Sequence, residues 1–277
     1  MTVRAAMQSV FVRHLGEGER KLLALHCTIA HSGAWSGLAS ALDGCASFIA
    51  PDMLSHGRSP DWDGQGDFFD AVTKPALAEL TEPMDVIGHS FGAMIALRLA
   101  IEHPDRVRSL ILIEPVFFAV AKQDAPLLFE QHERDSEPVN AAFGSGDKVL
   151  AARLFNRAWS TKISPKWPDL PERTRANMVR GIDAVPAVQP VLYDDQAGLL
   201  DPDRLRRASM PTLLLSGSET PPVIHAICAG LQRRLSDARH ERINGAGHML
   251  PISHPDETGA LLRAFWQANA PIGVKAD

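Results

Sequence analysis

Ser90 is the residue whose surroundings come closest to specifying a reaction. It sits in Gly88-His89-Ser90-Phe91-Gly92, after the apolar pair Val86-Ile87 and before a run of small and apolar residues from Ala93 to Ala100. An apolar run into glycine, with a helical pattern starting just past the serine, reads as strand, tight turn and helix, with G-x-S-x-G across the turn. A serine on so sharp a turn takes a strained backbone, and glycines at 88 and 92 let neighbouring main chain pass closely. The hydroxyl then stands clear of the sheet edge. The N–H of Phe91, at the helix start, faces the place where negative charge builds on a carbonyl oxygen under attack. This is the chemistry of a nucleophilic serine in acyl transfer. The pentapeptide alone arises often by chance, and its position between a buried strand and a small-residue helix gives it its meaning.

The other reactive side chains need sorting. Among the 11 histidines, His89 follows the strand beside the serine and is expected to pack inward or bond to backbone. His26 and His56 fall in turns and are expected to satisfy loop carbonyls, whereas His31 belongs to a loop expected near a pocket entrance. No His/Asp/Glu cluster has metal-ligand spacing and no glycine-rich phosphate loop is present, so neither a metal nor a cofactor is expected. Cys27, Cys45 and Cys228 are far apart and odd in number. They form no disulfide framework and fit a reducing cytoplasm.

The elements that must position Ser90 follow from hydrophobic patterning. Ser9 to His14 alternates as a strand, Leu22 to Leu25 is an apolar run, and a helix starting at Ser32 or Gly33 carries Trp35, Leu38, Ala41 and Leu42. A short strand over Ala46 to Ala50 feeds a turn-rich loop, and a helix covers roughly Asp67 to Leu80. Val107 to Ile113 and Pro211 to Leu215 read as strands buried on both faces, and Ser253 to Ala268 as a closing helix. Alternating strands and helices predict an α/β fold with a mostly parallel, doubly wound sheet. Between Glu114 and Pro211 the rhythm breaks into helical patterns punctuated by Pro165, Pro168, Pro171, Pro186 and Pro190. In one of them Leu150, Ala151, Leu154, Phe155, Ala158 and Trp159 share a face. The segment is too long for a loop, which predicts a helical cap over residues 117–207 on a core formed by 1–116 and 208–277.

With 277 residues, 45% hydrophobic and 22% charged, the chain can bury a full core as one large domain. A net charge of −5 gives no reason to expect nucleic acid or an anionic membrane as partner. No secretory leader pattern and no apolar run of membrane-spanning length is visible, so a cytoplasmic protein with a small-molecule substrate is expected. The sequence leaves the oligomeric state open.

In this order the segments resemble the α/β-hydrolase superfamily, in the cap-bearing branch that includes esterases, cofactor-free haloperoxidases, haloalkane dehalogenases and carbon–carbon bond hydrolases. Leu23-Ala24-Leu25-His26-Cys27-Thr28 is similar to that family's strand ending in His-Gly-x, with Cys27 in the usual glycine position. Pro51 to Ser59 is similar to its Asp-x-x-Gly-His-Gly-x-Ser loop, and Gly245-Ala246-Gly247-His248-Met249 to the loop that carries its catalytic histidine. The resemblance implies Ser90 as nucleophile, His248 as base, and the N–H groups of Thr28 and Phe91 as oxyanion donors. The family's usual acid position, three residues past a glycine, falls on Thr220, which cannot serve. Some relatives place the acid at the end of the strand after the elbow helix, which here is Glu114. A carboxylate at the mouth of a buried strand needs a partner. Glu114 is therefore the expected acid, with Glu219 as its competitor.

The constellation implies a serine hydrolase acting on a small to medium, largely apolar ester or related acyl compound through a Ser-His-Glu triad and an acyl-enzyme. A perhydrolase or a carbon–carbon bond hydrolase would use the same triad, and a catalytically silent ligand-binding relative is a different class. Dehalogenation is disfavoured, since that branch needs aspartate at position 90. Phe117, Phe155, Trp159 and Trp167 are candidates among the cap's aromatic side chains for lining the pocket, and the sequence leaves open which of them face the site.

Overall fold

Apolar runs too short for helices form the centre of the molecule. In the computed structural model, which describes residues 9–269, seven strands make one sheet. They are β1 (Val12–Leu15), β2 (Arg20–Leu25), β3 (Ala46–Pro51), β4 (Met84–His89), β5 (Val107–Ile113), β6 (Thr212–Gly217) and β7 (Ala238–Ile243). The order across the sheet is β1-β3-β2-β4-β5-β6-β7, parallel throughout except for β1, which runs antiparallel to β3. The first strand starts later than its alternation suggests because Val12 pairs with Pro51, the last residue of β3, leaving Ser9 to Phe11 no partner strand to extend along.

Successive strand residues face opposite sides, and each side has its own core. Leu22, Ala24, Ile87, Ile111, Ile113 and Leu215 pack beneath α1 (Ser36–Ala41) and, after the last strand, a closing helix at Pro255–Ala268. Leu23, Leu25, Val86, Leu110, Leu112 and Leu214 pack on the other side, beneath α2 (Phe68–Glu79) and α3 (Phe91–Glu102). Burial on both faces is why these strands read as nearly unbroken apolar runs. Asp85 is the exception, fully buried in β4 but paired with Arg20 at 2.6 Å and Arg108 at 2.9 Å. That pairing satisfies the charge at the end of β4 remote from Ser90.

Between β5 and β6 the described chain is helical: α4 (Phe118–Asp124), α5 (Pro126–Gly144), α6 (Lys148–Ala158), α7 (Glu172–Gly181), α8 (Ala184–Asp194) and α9 (Pro202–Leu205). Their contact with the rest includes a separate cluster in which Ile29 meets Ala142, Ala151, Ala152 and Ile182. Arg180 of α7 donates to the carbonyls of Gly57 at 3.0 Å and Ser59 at 2.6 Å, tying that helix to the loop after β3. The chain continues through α10 (Pro222–Arg234), β7, α11 (Leu250–Ser253) and α12 (Pro255–Ala268). Residues 1–8 and 270–277 of the expected core lie outside the described residues. No helix among the described residues is long and apolar enough to cross a membrane.

Candidate active site

Ser90 has φ 56° and ψ −118°, a conformation that L residues rarely adopt, and it is held there from both sides. Its N–H donates to Ile113 O at 2.8 Å, and its carbonyl accepts from Ala93 N–H at 3.0 Å as α3 begins. The flanking glycines are steric necessities. A Cβ at Gly88 would stand 2.2 Å from Gly92 O, and one at Gly92 would stand 2.1 Å from Leu25 O. The turn is therefore as tight as the sequence pattern implies.

Two main-chain N–H groups beside the serine, those of Phe91 and Thr28, hydrogen-bond to no described residue, and both residues line a cavity with Ser90. Buried histidines fix the loop that carries Thr28. His26 donates from Nδ1 to Cys27 O at 2.8 Å and accepts Met53 N–H at Nε2 at 2.9 Å. His56 donates from Nδ1 to Leu54 O at 2.8 Å and accepts Ile29 N–H at Nε2 at 3.1 Å. Each ring is thus used as a neutral donor–acceptor bridge, in keeping with its turn position. Burial pushes His26 down to about 4 and, helped by the neighbouring His26, His56 down to about 3. Asp52, in the same loop, accepts N–H bonds from Ser32 at 2.6 Å and Arg58 at 2.8 Å. Burial alone would raise its carboxyl, but those N–H bonds outweigh burial and hold it below the usual range.

The neutral histidines make folding acid-sensitive. Their folded pKa values lie below the roughly 6.5 of an unfolded imidazole, so their contribution is complete above that value and is lost as pH falls toward the folded values. Going from about pH 7.5 to about pH 5 is expected to cost on the order of 2 kcal/mol per ring. A thermal midpoint that drops over this interval agrees with the assignment, and an unchanged or rising one contradicts it.

Behind the serine, His248 Nδ1 donates to Glu114 Oε2 at 3.0 Å, and both side chains are buried. Glu114 also accepts Gly217 N–H at 2.7 Å on Oε1 and the Thr220 hydroxyl on Oε2. Glu114 has a φ of 51° and is held by its N–H bond to Leu215 O at 2.8 Å. Thr220 occupies the position where the sequence pattern leads one to look for an acid, and its hydroxyl instead donates a hydrogen bond to the Glu114 carboxylate. Its role escaped the sequence reading because only a carboxylate was sought there. Glu219 is exposed, and its side chain does not reach His248. His89 turns inward, as expected, and its Nε2–H donates to His248 O at 2.7 Å. The ring of Trp159 lies over His248 with centroids 4.1 Å apart, a contact that no sequence pattern announces. Ser90 and His248 line one cavity without a hydrogen bond between their side chains. Such contacts often tighten only when substrate is bound.

Two cavities, of about 330 and 280 Å³, meet at Ser90, and Thr28, Phe155 and Trp159 line both. Two of the four candidate aromatic side chains therefore line the cavities at Ser90. Phe117 does not, being fully buried in the core, and Trp167 packs against the Ile29 cluster. His31 lines the second cavity and also accepts Gly33 N–H at 3.0 Å, which starts the short turn Ser32–Trp35. Cys27 lines it too, but burial pushes its thiol up to about 12, so it packs as a small inert side chain. Among the described residues no group of three or more His, Cys, Asp or Glu is arranged to hold a metal ion.

Known proteins are similar to this chain over most of its length. Lipase LipV of Mycobacterium tuberculosis is 30% identical over 268 residues, covering 91% of this chain and 95% of that one. The pimeloyl-[acyl-carrier protein] methyl ester esterase of Nitrosomonas europaea is 28% identical, covering 91% and 97%. The solved structure of Est816, described as an N-acyl homoserine lactone degrading enzyme, superposes with a TM-score of 0.64 at 25% identity, covering 92% and 96%. The model of the alpha/beta hydrolase family matches residues 22–261, from β2 into α12. On the strength of that match the chain belongs to the alpha/beta hydrolase family, and it is a hydrolytic enzyme.

Proposed function

We propose that the protein is a serine esterase that cleaves a small to medium, largely apolar carboxylic ester through Ser90, His248 and Glu114. The observation that carries this reading is the buried Glu114–His248 hydrogen bond, set behind a serine held at positive φ. In the reaction His248 takes the hydroxyl proton as Ser90 Oγ attacks the acyl carbon, then returns it to the leaving alcohol. Glu114 fixes the tautomer that leaves Nε2 free to accept and stabilises the imidazolium. Negative charge on the tetrahedral oxygen is met by the N–H groups of Thr28 and Phe91. Water, activated by the same histidine, then hydrolyses the acyl-enzyme. The printed names of the relatives, a lipase and a methyl ester esterase, support ester chemistry.

The helical segment over 117–207 acts in this reading as a cap over the serine. Phe155 and Trp159 beside Ser90, and the apolar side chains Val116, Phe118, Val139, Val188 and Leu192 in the first cavity, support an apolar acyl group. A common acyl-enzyme has a direct kinetic signature. Esters with one acyl group and different alcohols, hydrolysed in water containing methanol, are expected to give one constant ratio of acid to methyl ester. A ratio that varies with the leaving alcohol overturns the mechanism.

A further inference from the structure

The first cavity runs between α5 and α8, and its two ends differ. At one end Ser90, Thr28, Phe155 and Trp159 also line the second cavity. At the other, Ser136, Asn140, Gln189 and Tyr193 also line a third cavity of about 440 Å³, which none of the four residues of the serine end reaches. The remote end is therefore polar. Gln131, His132, Asp135, Ser136 and Asn140 recur at three- and four-residue spacing, so one face of α5 follows the cavity. On the facing helix, Gln189 and Tyr193 sit four residues apart.

The centre of this polar end is a fixed pair. His132 stacks on Phe118 with ring centroids 4.0 Å apart and shares a 2.8 Å hydrogen bond between Nε2 and the Tyr193 hydroxyl. Burial holds the imidazole down at about 4 and pushes the phenol up, so both are uncharged near neutral pH. The side-chain amides of Asn140 and Gln189 line the cavity and hydrogen-bond to no described residue. No lysine or arginine lines the first cavity, and its one charged group is Asp135. Beyond it, the third cavity has Glu133, Glu137 and Asp194 against Lys122, which Asp194 already pairs at 2.9 Å. The free partners there are neutral amides and hydroxyls or carboxylates, so nothing offers an unpaired positive charge to an anion.

We infer that the groove between α5 and α8 selects acyl chains carrying an uncharged hydrogen-bonding group, a hydroxyl, carbonyl or amide, at the end remote from the ester. Asn140, Gln189 and the His132–Tyr193 pair bind that group. The inference rests on the reading of Ser90 as the residue that is acylated, since that sets which end of the chain enters first.

The test compares three esters of equal chain length that end in methyl, hydroxyl and carboxylate. The hydroxyl-ended ester is expected to have a kcat/KM about tenfold above the methyl-ended one, the effect of one well-formed hydrogen bond, with the carboxylate-ended ester poorest. In the double variant Asn140→Leu, Gln189→Leu, at exposed and half-buried positions that leave the core untouched, the hydroxyl-to-methyl ratio is expected to fall to about one. A wild-type preference for methyl or carboxylate, or a ratio the double variant does not change, overturns the inference. Dissociation constants of the matching ketones on Ser90→Ala protein read the same ratio without catalysis. If Ser90→Ala still hydrolyses the esters, the triad reading falls, while the ketone ratio continues to decide the groove.

Discussion

Ser90→Ala is expected to lower kcat for ester hydrolysis by on the order of 10⁶, and His248→Ala by a similar factor. The two groups act as one unit: without the hydroxyl there is nothing for the histidine to deprotonate, and without the histidine the hydroxyl is a poor nucleophile. The double variant is therefore expected to be little worse than either single one. Residual activity comes from the oxyanion donors and binding, which both variants keep, because Thr28 and Phe91 contribute main-chain N–H groups. Ser90→Ala retains the loop's hydrogen bonds from Ser90 N–H to Ile113 O and from Ala93 N–H to Ser90 O. It is thus expected to fold with a thermal midpoint at or above that of the parent, since alanine removes no packing. Near-normal turnover by Ser90→Ala on every ester the parent cleaves contradicts the assignment.

Glu114→Gln is expected to cost on the order of 10⁴ in kcat, less than loss of the serine, and Glu219→Gln to stay close to the parent. The difference follows from position. Glu114 is wholly buried and touches His248 Nδ1, Gly217 N and the Thr220 hydroxyl, whereas Glu219 is exposed and makes no hydrogen bond to the ring. Glutamine keeps an oxygen for the Gly217 N–H bond, so the variant folds. It presents an amide N–H₂ or a neutral oxygen to the imidazole, which no longer favours the productive tautomer or the imidazolium. Rates are compared at about pH 8, above the ordinary range of imidazole protonation. The reverse ranking of the two variants assigns the role to Glu219.

How legible these features were depended on where each residue's constraint comes from. The elbow around Ser90 was readable because its constraint is local: strand, turn and helix are consecutive, and the glycines mark where a Cβ would meet Gly92 O and Leu25 O. The central strands were readable because burial on both faces leaves mostly apolar residues. β7 was not, since Arg239, His240, Glu241 and Arg242 lie on a sheet edge where charged side chains are favoured and hide the alternation. α10 was missed as well; it begins at the second of two consecutive prolines, Pro221 and Pro222, which read as loop. The Glu114–His248 contact spans 134 positions, so no window of sequence contains it, and only the resemblance suggested where to look. The helices between β5 and β6 were visible as periodicity, but which aromatic residues face the serine depends on how the helices pack on one another. Phe155 and Trp159 reach it, while Phe117 is fully buried in the core.

The central claim, that Ser90 is the acylated nucleophile, is tested most directly by an organophosphonate that reacts with activated serines. Mass spectrometry of the treated protein is expected to show one adduct per chain, mapped by peptide sequencing to Ser90, with loss of esterase activity in proportion to labelling. Glu114→Gln protein is expected to label far more slowly, because the hydroxyl is activated through the same histidine. No adduct, or an adduct on another residue while activity is lost, contradicts the account.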